Sequence, residues 1–183
     1  ILFEELGLKY FGPIDGHNFD VLVETLSDLR RFEEPVLLHV VTRKGKGYLP
    51  AEGNSTAFHG IGVFDPDSGI ATKGSRKTYT QVFGETALLI GERMPNAVAV
   101  TAAMTDNTGL AQFAKRFPER FFDVGMAEEH AVTFSAALAA EGLLPLTTIY
   151  STFLQRSFDQ IIHDAALQDL RIVLCLDRAG LVG

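Results

Sequence analysis

The chain has 183 residues, enough for one domain or for one domain and part of another, and its 46% hydrophobic and 21% charged residues are typical of a globular protein. Its net charge of −7 argues against a nucleic-acid-binding surface, because an acidic balance repels phosphate. The single cysteine, Cys175, excludes an internal disulfide, and no apolar run reaches the roughly 18 residues that a membrane-spanning helix needs.

The N-terminal part of the chain has too few regular elements for a core of its own. Apolar residues at helical spacing predict a helix over 17–33, and the β-branched run VLLHVVT predicts a buried strand over 36–42. We expect residues 1–48 to be the tail of a neighbouring domain. Residues 49–77 contain glycines and prolines but no periodicity, which predicts an interdomain linker or an active-site loop.

From residue 78 onward, helical and strand patterns alternate with short loops between them. The predicted strands, NAVAVTAA, RFFDVGM, LPLTTIY and RIVLCLD, are mainly apolar, which is typical of strands buried on both faces. The pattern predicts an α/β fold with a doubly wound, mostly parallel sheet and helices on both faces. Ligands of such sheets bind at the carboxyl ends of the strands, which here fall at 123–130, 149–156 and 175–180.

Both ends of the chain lack the features of a natural terminus. The first residues, ILFEELG, have no initiator Met, basic segment or cleavage site, and the last, LDRAGLVG, follow a predicted strand directly. We therefore expect a fragment of a longer protein. Cys175 lies in the apolar run RIVLCL, so a buried core thiol is expected there rather than a nucleophile.

The motif AEEHAV places two carboxylates where a predicted strand gives way to a helix. The helix dipole favours acids in a first turn by some 0.3–1 kcal/mol, so a charged helix start would explain both Glu128 and Glu129. The helix that follows is small or apolar nearly all round, however, which would bury at least one of the two acids. A carboxyl in such surroundings can hold or share a proton near neutral pH, as a catalytic acid does.

The segment YSTFLQR offers three candidate side chains at the end of the next predicted strand. In one explanation, Phe153 forms a flat apolar platform and Tyr150 donates to an anion. In the other, Phe153 belongs to the core, Arg156 points to solvent, and Ser151 or Thr152 caps the following helix.

Three further candidates are each open to two explanations. Arg178 follows Asp177 at a strand end, where it forms a surface ion pair or binds a phosphate with its planar guanidinium. Lys44 belongs either to a solvated basic turn or to a glycine-rich loop that approaches a phosphate. His59 lies in a glycine-rich segment and is either merely exposed or part of a site between domains.

Taken together, these segments closely resemble the family of 1-deoxy-D-xylulose-5-phosphate synthases, thiamine-diphosphate enzymes of the transketolase superfamily. The resemblance covers essentially the whole chain and is carried in order by LFEELGLKYFGPIDGHN, HVVTRKGKGYLPAE, FHGIGVFDPDSG, DVGMAEEHAVTFSAALA, YSTFLQRSFDQIIHDAALQ and DRAGLVG. The fifth and sixth segments separate it from transketolases and from the β subunits of 2-oxo-acid dehydrogenases. It implies a transferase that condenses pyruvate with glyceraldehyde 3-phosphate with loss of CO2, for isoprenoid, thiamine and pyridoxal biosynthesis.

The resemblance also implies a domain order, cofactors and partners. Residues 1–48 would end a diphosphate-binding domain, 49–77 would be the linker, and 78–183 would form most of a pyrimidine-binding domain. The cofactors would be thiamine diphosphate and Mg2+, with the metal ligands outside this chain, so we expect the isolated chain to be inactive. A homodimer is implied, in the bacterial cytosol rather than the plastid stroma, with neither nucleic acid nor membrane as a partner.

Four residues resemble those that surround the pyrimidine ring of the cofactor in that family. Glu128 matches the catalytic glutamate that hydrogen-bonds the aminopyrimidine, where a shared proton activates the cofactor. Phe153 matches the aromatic residue that lies against this ring. Met104 and Met126 match the apolar wall around it.

The remaining matches concern phosphate groups. Lys44 and His59 resemble residues near the diphosphate of the cofactor. Tyr150 and Arg178 resemble part of the site for the acceptor phosphate, and Arg156 lies near its mouth.

Two features depart from the usual family pattern. Family members usually have Ala-Glu-Gln-His where this chain has Glu129 in place of Gln, and MTDNTGL at 104–110 is also unusual. Neither departure touches Glu128. The alternatives are a β-type subunit of a 2-oxo-acid dehydrogenase, a split transketolase, and a non-enzymatic α/β module that retains the fold.

Overall fold

The chain divides into two units, Ile1–Gly74 and Ser75–Gly183. The computed structural model describes residues 2–72 and 77–180. The division expected from the sequence, with boundaries at residues 48 and 77, stays a prediction. The last three residues of its third part, 181–183, lie outside the described residues.

A parallel β-α-β motif is the centre of the first unit. Its strands pair from Lys9 opposite Val36 to Asp15 opposite Val41, and a helix crosses between them. The helix is shorter than predicted at both ends, and Asn18 caps its start by accepting a hydrogen bond from the N–H of Val21. The elements are α1 Leu2–Glu5, β1 Lys9–Asp15, α2 Phe19–Leu29, β2 Val36–Val41 and α3 Leu49–Gly53.

The apolar face of α2 is largely uncovered within this unit. Phe19, Val23 and Leu26 share that face and are 73%, 60% and 49% exposed. A two-stranded sheet and one helix bury too little apolar surface to cover such a face.

The segment that follows β2 is more ordered than its composition indicated. The rings of Tyr48, Phe58 and Phe64 pack on one another with centroids 5.5 to 6.1 Å apart. The Tyr48 hydroxyl also donates a hydrogen bond of 2.7 Å to the carbonyl oxygen of Pro66. These aromatic contacts order the segment without producing any periodic pattern that the sequence could reveal.

A four-stranded parallel sheet forms the second unit, with strand order β4-β3-β5-β6. This confirms the predicted doubly wound fold. The elements are α4 Tyr79–Arg93, β3 Ala97–Thr101, α5 Ala111–Arg116, β4 Phe121–Asp123, α6 Glu128–Ala140, β5 Leu144–Tyr150, α7 Ser151–Leu154, α8 Phe158–Gln160 and β6 Val173–Asp177.

Each face of this sheet carries its own apolar core. On one face, Leu110 and Phe113 pack with Ala87 of α4 against the sheet. On the other, α6 and the helical segment after β5 cover the strands, with Val132 and Ile149 fully buried. Because side chains of a strand alternate between faces, β3 and β5 supply residues to both cores.

The strand order places a topological switch point between β3 and β5. The chain leaves β3 towards β4 on one side, then crosses to β5 on the other side of β3. Connections that diverge in this way open a crevice at the carboxyl ends of the two neighbouring strands. The crevice lies here between Thr101 and Tyr150, so it adjoins the predicted ligand-binding segment 149–156.

The helix α6 ends as its sequence predicts. Gly142 has a φ of +82°, and its N–H donates to the carbonyl oxygen of Ala139. The N–H of Leu143 donates to the carbonyl oxygen of Leu138. These two bonds form a Schellman motif, in which glycine at the left-handed position avoids a Cβ clash.

The helix predicted after β5 is present over residues 151–166, but it is irregular. The short helix α7 is followed by a 3-10 turn at Gln155–Ser157, then by α8, and then by a π-helical stretch at Ile161–Ala166. Ser151 does not cap the segment either, since its hydroxyl donates to the carbonyl of Arg178 at 2.8 Å. Within residues 2–72 and 77–180, no helix is both long and apolar enough to cross a membrane.

Candidate active site

The two adjacent glutamates at the start of α6 have different surroundings. Glu128 is only 4% exposed, whereas Glu129 and His130 are exposed. Oε1 of Glu128 accepts a hydrogen bond of 3.1 Å from Nη1 of Arg156, and this is the one polar partner of its side chain among the described residues. His130 instead stacks on Phe134, with ring centroids 5.9 Å apart. The buried carboxyl is thus Glu128.

A continuous series of contacts runs from Glu128 across the carboxyl end of the sheet. The guanidinium of Arg156 lies 5.1 Å from the ring centroid of Phe153. The Phe153 ring stacks on that of Tyr150, with centroids 5.9 Å apart and an interplanar angle of 27°. The guanidinium of Arg178 lies 4.3 Å from the Tyr150 ring centroid. The structure therefore brings five predicted residues together in one row.

The two predicted methionines have different positions. Met104 follows β3, is buried, and its Sδ accepts a hydrogen bond of 3.5 Å from the N–H of Tyr150. It therefore lies beneath the row of contacts, in the same apolar cluster as Leu154. Met126 is 89% exposed and outside that cluster, so its place in an apolar wall stays a prediction.

The hydroxyl of Tyr150 is buried and has no hydrogen-bond partner among the described residues. Burial raises the pKa of the Tyr150 hydroxyl. The positive charge of Arg178 opposes this rise, and the negative charge of Asp177 adds to it. The phenol therefore stays protonated and can donate a hydrogen bond. A buried donor without a partner is costly, and an oxygen atom of a ligand would satisfy it.

Arg178 is held in an uncommon backbone conformation. Its φ is +53°, in the left-handed region that non-glycine residues rarely adopt. Its N–H donates to Oδ1 of Asp177 at 2.9 Å, and its carbonyl accepts the Ser151 hydroxyl at 2.8 Å. Such strained residues cluster at functional sites.

Asp123, which the sequence analysis missed, joins two loops at the edge of the site. Its Oδ1 accepts from the N–H of Ala103 at 2.7 Å and of Gly125 at 3.0 Å, and its Oδ2 accepts from the Thr105 hydroxyl at 2.8 Å. One loop carries Met104 and the other leads to α6. An Asp that ends a strand two residues before a Gly is a turn-forming signal that could have indicated this role.

Lys44 and His59 meet in the first unit. Nζ of Lys44 lies 2.9 Å from Nδ1 of His59, and because an ammonium only donates, the imidazole nitrogen accepts there. The turn that carries Lys44 needs glycine at Gly45, which has a φ of +81° and abuts the backbone of Ala51. Glu52 holds the same turn through the N–H of Gly47 at 2.9 Å, which lowers the pKa of its carboxyl.

Two other observations concern reactive groups. Burial raises the pKa of the Cys175 thiol, so the thiolate needed for nucleophilic attack is disfavoured. No group of three or more His, Cys, Asp or Glu side chains in the described ranges is arranged to hold a metal ion.

Comparison with known families identifies two regions. Residues 75–183 match the family model described as the transketolase pyrimidine-binding domain, and residues 1–42 match that of 1-deoxy-D-xylulose-5-phosphate synthase.

Curated relatives match along the whole chain. Proteins named 1-deoxy-D-xylulose-5-phosphate synthase are 57% identical in Magnetococcus marinus, 56% in Thiobacillus denitrificans and 55% in Aquifex aeolicus, each over 100% of this chain. The chain spans only 29 to 30% of the length of these relatives. Among solved structures, a split-gene transketolase described as an inactive β4 tetramer is 28% identical, with a TM-score of 0.49. The match covers 52% of this chain and 32% of the transketolase chain.

Proposed function

The chain belongs to the family of transketolase pyrimidine-binding domains, and on that premise we propose that it is the central part of a 1-deoxy-D-xylulose-5-phosphate synthase. Such an enzyme condenses pyruvate with glyceraldehyde 3-phosphate, with loss of CO2, and depends on thiamine diphosphate. The identity of 53 to 57% to synthases over the full chain supports this proposal.

The row of contacts at the switch point is the observation that carries the proposal. A buried carboxyl, Glu128, lies at one end, stacked aromatic rings occupy the middle, and Arg178 lies at the other end. An aminopyrimidine needs such a combination, with an apolar surface for its ring and a carboxyl for its nitrogen atoms. The unpartnered Tyr150 hydroxyl and the Arg178 guanidinium suit the oxygen atoms of a phosphate.

The residues of the row, with Met104 beneath it, divide into two proposed tasks, one for the pyrimidine ring and one for the acceptor phosphate. Thiamine diphosphate, when bound, supplies the electron sink that stabilises a carbanion. Glu128 shares a proton with the ring, and Phe153 and Met104 exclude water from that contact. Tyr150 and Arg178 bind the acceptor phosphate, as does Arg156 at the mouth of the site.

Lys44 and His59 are proposed to contact the diphosphate of the cofactor. Their 2.9 Å contact supports a common task, since it places the Lys44 cation beside the His59 ring, whose other nitrogen can donate a hydrogen bond to a ligand oxygen. The uncovered apolar face of α2 supports the proposal that residues 1–48 belong to a larger diphosphate-binding domain.

Three further proposals rest on the family resemblance alone. They are a requirement for Mg2+ with ligands outside this chain, a homodimer, and a location in the bacterial cytosol.

Replacing Glu128 tests the proposal. In the complete enzyme that carries this segment, Glu128→Gln should lower turnover by roughly 10²- to 10⁴-fold, the contribution typical of a general acid or base. The matched control is Glu129→Gln, which changes the adjacent exposed carboxyl and should leave turnover within about threefold of the wild type. Turnover is measured with pyruvate, glyceraldehyde 3-phosphate, thiamine diphosphate and Mg2+.

Three results would contradict the proposal. Near-normal turnover of Glu128→Gln would remove this residue from the mechanism. Failure of the wild-type enzyme to bind thiamine diphosphate in calorimetry would favour a non-enzymatic module that retains the fold. A wild-type enzyme that accepts lipoamide rather than glyceraldehyde 3-phosphate would instead be a 2-oxo-acid dehydrogenase component.

A further inference from the structure

We propose that Arg156 positions the carboxylate of Glu128 for activation of the cofactor, a task separate from its predicted contact with the acceptor phosphate. The inference rests on the proposed function, because it concerns the same site. It assigns to Arg156 an effect on the enzyme before any substrate is bound.

The burial of the two partners differs in a way that suits this task. The side chain of Glu128 is 6% exposed and that of Arg156 is 54% exposed, so the arginine reaches a buried carboxylate from the solvent side. A buried carboxylate without a partner is strongly disfavoured, and a guanidinium at 3.1 Å compensates its charge.

The contact leaves part of the carboxylate available to a ligand. Arg156 engages Oε1, and Oε2 has no hydrogen-bond partner among the described residues. Because the two oxygens and the carboxyl carbon are rigidly joined, holding Oε1 sets the direction in which Oε2 points. The planar guanidinium is suited to this, since its donors have a fixed geometry that an ammonium lacks.

The irregular helix after β5 places Arg156 where this contact is possible. Arg156 lies in the 3-10 turn Gln155–Ser157, between α7 and α8, and its guanidinium also packs over the Phe153 ring. The ring restricts the guanidinium on one side while the carboxylate holds it on another. Arg156 therefore links the proposed platform for the pyrimidine ring to the carboxyl that bonds that ring.

The first experiment tests the ion pair without cofactor. In a double-mutant cycle of thermal unfolding on the complete enzyme, Arg156→Met should lower the midpoint in the wild-type background and have a smaller effect in the Glu128→Gln background. The control is Arg116→Met, which removes a comparable contact with Phe117 at 5.2 Å and should be additive with Glu128→Gln. Additivity of Arg156→Met with Glu128→Gln would overturn the pairing.

The second experiment tests positioning. The enzyme is loaded with thiamine diphosphate in the absence of substrates, and exchange of the thiazolium C2 proton with deuterium is followed by NMR after acid quench. Arg156→Met should slow this exchange by roughly 10- to 100-fold, as expected when a catalytic group is misplaced by about 1 Å. Arg156→Lys keeps the charge without the planar donors and should restore the rate only in part.

The outcomes separate the two proposals. If the wild-type enzyme accelerates the exchange and Arg156→Met does so equally, with only the KM for glyceraldehyde 3-phosphate raised, the positioning role is overturned and the proposed function stands. If the wild-type enzyme binds no thiamine diphosphate, the proposed function itself is overturned.

Discussion

Removing the Asp123 side chain should destabilise the second unit and loosen the loop that carries Met104. The carboxylate accepts three hydrogen bonds, from the N–H groups of Ala103 and Gly125 and from the Thr105 hydroxyl. Ala103 has a φ of +58°, so the loop also depends on this contact to keep a residue in the left-handed region. Asp123→Ala removes all three contacts together.

The expected magnitude follows from the exposure of these groups. A hydrogen bond to a charged partner contributes about 1.5–3 kcal/mol when it is well shielded. Asp123 and Ala103 are exposed, so water replaces part of each contact, and about 1 kcal/mol per bond is a better value. Asp123→Ala should therefore cost about 3 kcal/mol. Thr105→Val removes one contact of the three and should cost about 1 kcal/mol.

Chemical denaturation of the wild type and the variants measures these costs, and Asp106→Ala is the matched control. Asp106 lies in the loop after Met104, and its exposed side chain makes no hydrogen bond or ion pair with the described residues, so its removal should cost less than about 0.5 kcal/mol. Asp123→Asn keeps an oxygen for the two N–H groups and should fall between the alanine variant and the wild type. Equal stability of Asp123→Ala and Asp106→Ala would refute this account of the loop.

Three further predictions concern stability. Arg120 donates to the carbonyl oxygens at the end of α4, so Arg120→Ala should lower the free energy of unfolding by about 3 kcal/mol. Urea titration measures this loss, and a value below about 1 kcal/mol would contradict the prediction. A Cβ at Gly84 would clash with the carbonyl oxygen of Gly109, so Gly84→Ala should cost at least about 2 kcal/mol by the same assay, although alanine is the better helix former. The hydrogen bond from Thr133 lowers the pKa of Asp164, so its stabilisation is present at neutral pH and is lost as the pH falls below about 4. Thr133→Val should thus be destabilising at pH 7 and progressively less so as the pH falls below about 4, and an equal loss at every pH would show that the effect is packing.

The alternation of apolar runs determined much of the fold of the second unit. Strands buried on both faces are mainly apolar, and helices that cover them have one apolar face. The order of strands and helices along the chain can therefore be inferred from the pattern of apolar residues in each segment. The end of α6 was equally predictable, because Gly142 supplies a conformation that other residues avoid. Local rules of this kind need no knowledge of distant contacts.

The internal structure of the segment after β5 was not predictable in this way. Its apolar spacing matches a regular helix, whereas the structure has a 3-10 turn and a π-helical stretch where the segment packs against α6. The ordering of residues 49–72 by aromatic contacts is similar, since such contacts have no fixed spacing. Tertiary packing overrides local preference at both places.

For the candidate site, the sequence alone provided the residue types and their places at strand ends. A buried glutamate, an aromatic residue and arginines after parallel strands predicted a ligand site at one edge of the sheet. The tertiary structure decided which of these groups meet. Glu128 and Arg156 are 28 residues apart, and they pair because the chain crosses from one side of β3 to the other, an order of strands that no local pattern specifies. The donors from Ala103 and Thr105 reach Asp123 because β3 and β4 pair side by side, whereas the bond from Gly125 is local.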